Sequence, residues 1–259
     1  MAEVLITGGA GFIGSNLASR LLEEGHHVTI LDNLSRAGSE ANLAWLRSRS
    51  AALRLIRADV SDREAVRRAV AGMERIYHLA GQTAVTASVD DPLGDFRANA
   101  QGTLELLEAA RQGGDNPIFV YASTNKVYGG LGTARVEKAG GRYRLVDLPD
   151  GVPETFPLDF GSPYGCSKGC GDQYTRDYFR IYGLRTIVMR QSCIYGARQF
   201  GLVGQGWLAW FMQSALAGRA LRVFGDGGQV RDVLYVDDLL DAYEAAVTRI
   251  DATAGEVFN

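Results

Sequence analysis

The residues VLIT, followed at once by GGAGFIGSNLASRLLEEG, constrain this chain more than any other stretch. Three apolar residues and a threonine read as a buried strand, and the apolar spacing from Gly11 to Glu24 reads as a helix. Gly8, Gly11 and Gly14 stand three apart across the junction. Gly8 permits a tight turn, Gly11 lets the backbone approach a pyrophosphate, and Gly14 allows the helix to pack closely on the strand. The helix N-terminus adds amide donors and the positive end of its dipole. Glycines alone read as a flexible turn, but in this strand-to-helix context they predict a dinucleotide site.

Further strands of the same kind are predicted at Val28 to Leu31, Leu53 to Ile56, Arg75 to Leu79, Ile118 to Ala122 and Thr186 to Arg190. They alternate with helical periods at Asp62 to Ala71, Phe96 to Arg111 and Pro163 to Tyr182. Apolar strands alternating with helices build a parallel sheet covered on both faces, so the predicted class is α/β, a doubly wound Rossmann sheet. Gly129 to Gly161 is rich in Gly and Pro and is expected to form an excursion with a small hairpin. After Arg190 the alternation weakens, and an amphipathic helix follows at about Trp207 to Ala217. The predicted division is an NAD-binding unit over residues 1–191 and a smaller substrate-binding region over 192–259. That region is expected to be incomplete, with Glu256 to Asn259 opening a strand that returns to the sheet.

Composition removes several function classes. Hydrophobic residues make up 46% and charged residues 22%, which fits a folded soluble domain rather than a disordered chain. A net charge of -3 supplies no basic field for a nucleic-acid backbone. No apolar stretch has transmembrane length and no secretory leader is evident, so the expected compartment is the cytoplasm, with no membrane partner. Cys166, Cys170 and Cys193 contain no CxxC pair and stand beside only three histidines. They are read as reduced thiols that pack, and no metal site is expected.

Asp32 follows the second strand about 20 residues after the glycine loop, where a carboxylate accepts both ribose hydroxyls and repels a 2′-phosphate. NAD is therefore expected over NADP; the alternatives are a turn cap within DNLS and a 2′-phosphate bound by Arg36. Asp59 has two equal readings, a contact to the adenine amino group or a cap on the next helix.

Tyr164 and Lys168 in YGCSK stand four apart near a helix start, on one face. An ammonium beside a phenol stabilises the phenolate and lowers its pKa, which makes a base for a sugar hydroxyl. The fifth strand ends in YASTNKVYG, so Ser123 and Thr124 reach the carboxyl edge of the sheet, where open α/β folds bind ligands.

In this order, TGGAGFIG, the acid of LDNLSR, HLAGQ, RANAQGTLELLEAAR, STNKVYG, SPYGCSK and RDVLYVDDL resemble the extended short-chain dehydrogenase/reductase family of NAD-dependent nucleotide-sugar epimerases and dehydratases. The resemblance runs over the whole chain. It implies an isomerase with a catalytic triad of Thr124, Tyr164 and Lys168, and NAD contacts from Phe12, Ile13, Asn33 and Val60. Leu79, Ala80 and Gln82 join that cofactor set, as does Asn99 in a structural role. The substrate implied is a nucleotide-diphosphate sugar, and the enzyme a homo-oligomer. The chain is most similar to the branch that epimerises carbon 2 of a CDP-linked sugar. Siblings acting on UDP-sugars, as 4-epimerases or uronate decarboxylases, are the alternative, and a non-catalytic NAD sensor on the same fold is the reading from another class. The 4,6-dehydratases carry an acidic pair after the catalytic threonine; Asn125 and Lys126 stand there in this chain, so elimination of water is not expected. Ser123, Thr124 and Asn125 are expected to meet the sugar. Arg198 and Arg231 are forked donors for its diphosphate, or else surface charges. Phe224 or Tyr195 is expected against the base, and Trp207 and Trp210 in packing or an interface.

Overall fold

The computed structural model describes residues 1–132, 134–202 and 204–259. Its centre is a seven-stranded sheet. Chain order begins with β1 (Glu3–Thr7), α1 (Phe12–Glu23), β2 (His27–Asp32), α2 (Ser39–Arg49), β3 (Arg54–Arg57), α3 (Arg63–Val70) and β4 (Arg75–His78). Then come α4 (Val85–Asp90), α5 (Pro92–Phe96), a π turn over Arg97–Gln101, α6 (Gly102–Gly113), β5 (Ile118–Thr124) and a 3₁₀ turn at Asn125–Tyr128. A hairpin follows, β6 (Val136–Ala139) with β7 (Arg142–Leu145), and then α7 (Pro163–Tyr182) and β8 (Thr186–Gln191). The remainder is β9 (Cys193–Tyr195), α8 (Trp207–Leu216), β10 (Val233–Tyr235), α9 (Val236–Thr248), α10 (Ile250–Thr253) and β11 (Val257–Phe258).

The sheet order is β11-β8-β5-β4-β1-β2-β3, and every pairing in it is parallel. The chain winds outward from β1 to β3 and then returns to β1's other side with β4. Order therefore reverses between β1 and β4, and the crevice at the carboxyl ends of those strands is where such sheets bind ligands.

Burial on both faces explains why the strands read as unbroken apolar runs. Val4, Ile6, Val28, Ile30 and Tyr77 face α1 and α9, whereas Leu5, Leu31, Ile76, Phe119 and Tyr121 face α3, α6 and α7.

The structure departs from the sequence expectation in places. The helix expected at Phe96 to Arg111 is interrupted by the π turn, where Asn99 is buried and its carbonyl accepts from the Thr103 hydroxyl at 2.5 Å. Gly102 then meets Val60 so closely that a Cβ there would lie 2.7 Å from Val60 Cγ2. Helix α2 has no counterpart in the sequence reading, because among its polar residues only Ser39, Asn42, Leu43 and Leu46 turn inward, too thin a stripe to read as a helical period. Past residue 192, β9, α8 and β10 build the smaller region, α9 packs on α1, and the strand expected at Glu256 to Asn259 returns to the sheet as β11 beside β8.

Helix α7 is fastened to the sheet by charge. Asp172, fully buried, accepts from Arg190 Nε and Nη2, both at 2.9 Å, and from Ser123 Oγ at 2.7 Å. Arg190 also donates to Tyr128 Oη at 2.7 Å. Removing one member of a buried pair strands the other charge, at about 3–5 kcal/mol. Asp172→Asn is expected to lower the unfolding free energy in urea by about that amount, whereas Asp251→Asn on the surface changes it by less than about 0.5 kcal/mol.

Candidate active site

The glycine loop is closed by its own backbone. Gly8, at φ +69, donates to Leu31 O at 2.8 Å, and Gly11 donates to Gly8 O at 3.0 Å. A Cβ on Gly8 would sit 2.7 Å from Ala80 N, and one on Gly14 would collide with Gly8 O and lie 2.6 Å from Gly9 Cα. The turn is thus pressed between β4's exit and the start of α1, a position only glycine fills. No side chain caps α1, and no acid stands in its first turn. The amides at Phe12, Ile13 and Gly14 therefore face the cleft as donors for an anion. These features fit the pyrophosphate of a dinucleotide.

Asp32 ends β2, 8% exposed. Its Oδ2 accepts from Ala10 N at 3.0 Å and its Oδ1 from Leu34 N at 2.8 Å, which leaves each oxygen a lone pair for a ribose hydroxyl. Burial pushes its carboxyl up, against the two amide bonds. Asn33 donates to Asp59 Oδ2 at 2.7 Å, and Asp59 also accepts from Ser61 N at 2.9 Å. The cap of the helix after Asp59 is Asp62, which accepts from Ala65 N at 3.1 Å. Val60, Leu79, Ala80 and Gln82 line the same cleft, and Gln82 Nε2 donates to Ala84 O at 2.6 Å.

Arg36, the alternative donor to a 2′-phosphate, takes another direction. The guanidinium turns into the cleft and donates to Thr83 Oγ1 at 2.5 Å and to Gln205 Oε1. Burial lowers its pKa, and Tyr164 acts in the other direction.

At the opposite end, β5 and α7 bring the hydroxyls and the lysine together. Ser162 caps α7, accepting from Gly165 N at 3.1 Å, with Pro163 in the first turn and Ser162 itself held at φ 140. Such a backbone is strained, and the turn is held by tertiary contacts: Tyr164 N donates to Ser88 Oγ at 3.1 Å. Tyr164 is 9% exposed, Thr124 and Lys168 6% each. Thr124 Oγ1 accepts from Lys126 N at 3.2 Å.

The electrostatics differ from the sequence expectation. Burial pushes the Tyr164 phenol up rather than down; the Thr124 hydroxyl and Arg36 pull it back, and Asp95 adds to the rise. Lys168 Nζ donates to Ala122 O at 2.5 Å and lies 4.3 Å from the Tyr121 ring centroid. Burial lowers Lys168 to about 7, against Asp172 and Asp95. The reason is desolvation, which penalises the charged form of each buried group.

Phe224 and Tyr195, the two residues expected around the base, do not face the cleft, and Asn99, expected in a structural role, is buried. Asn99 donates through Nδ2 to Asp95 Oδ1 and Ser167 Oγ at 3.0 Å each. Phe224 is 69% exposed, in a segment without regular structure, beneath Arg222. Tyr195 packs on Tyr235 instead. Arg198 and Arg231 both line the cleft. Arg198 stacks on Trp45 of α2 at 4.2 Å, toward the cofactor half, and Arg231 donates to Val230 O at 2.9 Å. Trp207 packs edge-on against Phe211, and Trp210 lies under Arg219. The cysteines are free, and among the described residues no cluster of His, Cys, Asp and Glu could hold a metal ion. No described helix is long and apolar enough to cross a membrane. Asp95, Thr83, Gln191 and Gln205 also line the cleft and fall outside the sequence reading; no local motif marks them.

These parts share one cleft of about 1070 Å³, with the glycine loop and Asp32 at one end and Thr124, Tyr164 and Lys168 at the other. Residues 4–259 match the pattern of the NAD dependent epimerase/dehydratase family. The chain belongs to that family. It is 45% identical to a CDP-paratose 2-epimerase of Salmonella typhi over 99% of this chain and 78% of that protein. Identity to a UDP-glucose 4-epimerase of Mycolicibacterium smegmatis is 37%, over 94% of this chain and 72% of that one. Among solved structures, the Thermus thermophilus UDP-glucose 4-epimerase in complex with NAD superposes with a TM-score of 0.80 at 34% identity, covering 99% of this chain and 76% of that chain. NAD is the cofactor of the family, and the cradle described above fits it.

Because Asp32 both anchors the Ala10 and Leu34 amides and faces the ribose side of the cleft, Asp32→Ala is expected to weaken NAD binding about 10- to 100-fold. NADP binding is expected to fall less or improve. Calorimetric titration with both cofactors checks this, and the NAD:NADP affinity ratio is independent of any general loosening of the loop.

Proposed function

We propose that the protein is a nucleotide-sugar epimerase working by transient oxidation with retained NAD, and that its substrate is a CDP-linked sugar inverted at carbon 2. The observation that carries the reading is the convergence of Thr124, Tyr164 and Lys168 on the cleft that also holds the glycine loop. The 45% identity to a CDP-paratose 2-epimerase supports the carbon and the base. Bound NAD supplies a reversible hydride acceptor. Tyr164 takes the proton of the sugar hydroxyl as its carbon is oxidised, and returns it after the ketose has presented its other face. Thr124 hydrogen-bonds the oxygen that loses and regains the proton, and Lys168 stabilises the phenolate. Burial strengthens the polar contacts made in the site, while it raises the cost of the phenolate itself.

Asn125 and Lys126 support epimerisation over elimination. Both line the cleft on the turn after Thr124, and Asn125 Nδ2 lies 3.4 Å from Ser192 Oγ, so that turn offers no carboxyl acid. In this reading residues 1–191 bind the cofactor, and the region from 192 supplies the substrate wall, with Arg231 and Arg198 as diphosphate donors. Arg36 is added to that anion-binding set, as a cleft cation whose hydrogen-bond partners among the described residues, Thr83 and Gln205, are neutral. A homo-oligomer belongs to the same reading, supported by apolar side chains left outside: Leu93 is 68% exposed and Ile181 66%. Three free cysteines fit a cytoplasmic setting.

Two outcomes are expected. The product from a CDP-sugar has the substrate's mass by mass spectrometry; a loss of water or carbon dioxide would place the chain in another branch, and turnover confined to UDP-sugars would make it a 4-epimerase. Tyr164→Phe lowers kcat by about 10²–10⁴-fold with NAD content nearly unchanged. Retention of more than about a tenth of the rate would remove the phenolate from the mechanism.

A further inference from the structure

We propose that Lys138 and Tyr143 of the β6–β7 hairpin are positioning residues for the nucleotide sugar, which clasp Asp226 and so hold the segment that presents Arg231 to the cleft. The two stand directly opposite each other in the hairpin's register, so their side chains leave the same face of the ribbon. Lys138 Nζ lies 5.2 Å from the Tyr143 ring centroid, and both groups donate to one atom, Asp226 Oδ2, at 2.5 Å and 2.9 Å. The other carboxylate oxygen, Oδ1, accepts from Gly228 N at 2.9 Å. Gly228 also lies against the phenol, for a Cβ there would stand 3.2 Å from Tyr143 Cε2. Asp226 therefore joins the turn over residues 224–229 to the hairpin, and Gln229 Nε2 closes that turn on Phe224 O at 2.5 Å.

Neither partner is held by a core. Both strands of the hairpin are exposed almost throughout, and an isolated two-stranded hairpin is marginal in water. Arg135 and Asp147 tie its base, and Arg144 pairs with Glu137 on its other face. Among the described residues, the side-chain hydrogen bonds that leave residues 136–145 all end on Asp226. Residues 219–232 in turn contain no helix or strand, and Val223, Phe224 and Val230 stay exposed. An exposed ion pair adds little to global stability, so the clasp does not serve to hold the fold together. Its place gives it another effect. The hairpin rises from the 3₁₀ turn after Thr124, its neck closed by Asp159 N on Val127 O at 3.0 Å. On the far side, Asp226 shortly precedes Val230, Arg231 and Asp232, which line the cleft before β10 pairs with β9. Arg231 thus sits between two fixed points, the clasp and β10, and the chain that leaves the catalytic threonine is tied to the chain that carries the cation. A segment already seated loses less conformational freedom when its ligand arrives, and affinity rises accordingly.

This inference rests on the reading of Arg231 as a diphosphate donor, and its test separates the two. The probe is CDP, titrated by calorimetry into NAD-loaded protein. The double variant Lys138→Met, Tyr143→Phe is expected to weaken CDP about fivefold and to raise KM for a CDP-sugar in step, with kcat, NAD affinity and the urea midpoint unchanged. In an Asp226→Ala background the same two substitutions are expected to change nothing further, because the group they clasp is gone. CDP affinity equal to wild type in the double variant overturns the proposal, as does a loss that persists undiminished in the Asp226→Ala background. Should wild type bind UDP and not CDP, the cytidine reading fails and the same cycle, read with UDP, decides. Trypsin reads the seating without a nucleotide sugar: cleavage after Arg222 is expected to be faster in the double variant, and a rate equal to wild type overturns the proposal. If Arg231→Met leaves nucleotide affinity intact while the trypsin difference stands, it is the diphosphate assignment that fails.

Discussion

The buried pair of Asp172 and Arg190 is the interaction on which the site depends. It joins the middle of α7 to β8, and through Ser123 Oγ it takes in β5 as well. Two charges removed from water are no free gain in stability, because desolvation offsets most of their attraction. Their effect is geometric. With the carboxylate saturated by Arg190 and Ser123, α7 has one seating on the sheet, and Tyr164 and Lys168 are delivered to the end of β5 where Thr124 emerges. A purely apolar contact could slide by a fraction of a turn and still bury the same area, whereas a bidentate pair cannot.

Desolvation then governs the chemistry as it governs the packing. Burial raises the phenol of Tyr164 and lowers Lys168 to about 7. Asp95 raises the Tyr164 phenol further and Arg36 lowers it, each by less than burial does.

The smaller region closes on the cofactor half through a few specific contacts. Asn16 Nδ2 donates to Ala197 O at 2.9 Å and Asn42 Nδ2 to Arg198 O at 3.3 Å, while Arg198 lies over Trp45. Phe200 packs against Gly38, where a side chain would collide with its ring. These contacts hold the loop after β9 over α1 and α2, and Gln205 brings it to Arg36. The cleft is walled on that side by a segment far away in sequence.

The sequence alone determined whatever is local. Strand and helix periods, the three glycines, the carboxylate closing β2 and the i, i+4 spacing of Tyr164 and Lys168 are all written within short windows, because hydrogen-bonded elements and turns obey rules of a few residues. The fold class and one end of the cleft were legible from them. Tertiary structure decided the rest. Only packing buried Asn99 away from the cleft, left Phe224 in solvent, turned Arg36 from the adenosine side toward Tyr164 and placed Asp95 beneath α7. The sign of the Tyr164 shift was decided there too, since spacing shows which charges are near but not how much water has been removed around them, and in a buried site desolvation is the larger energy.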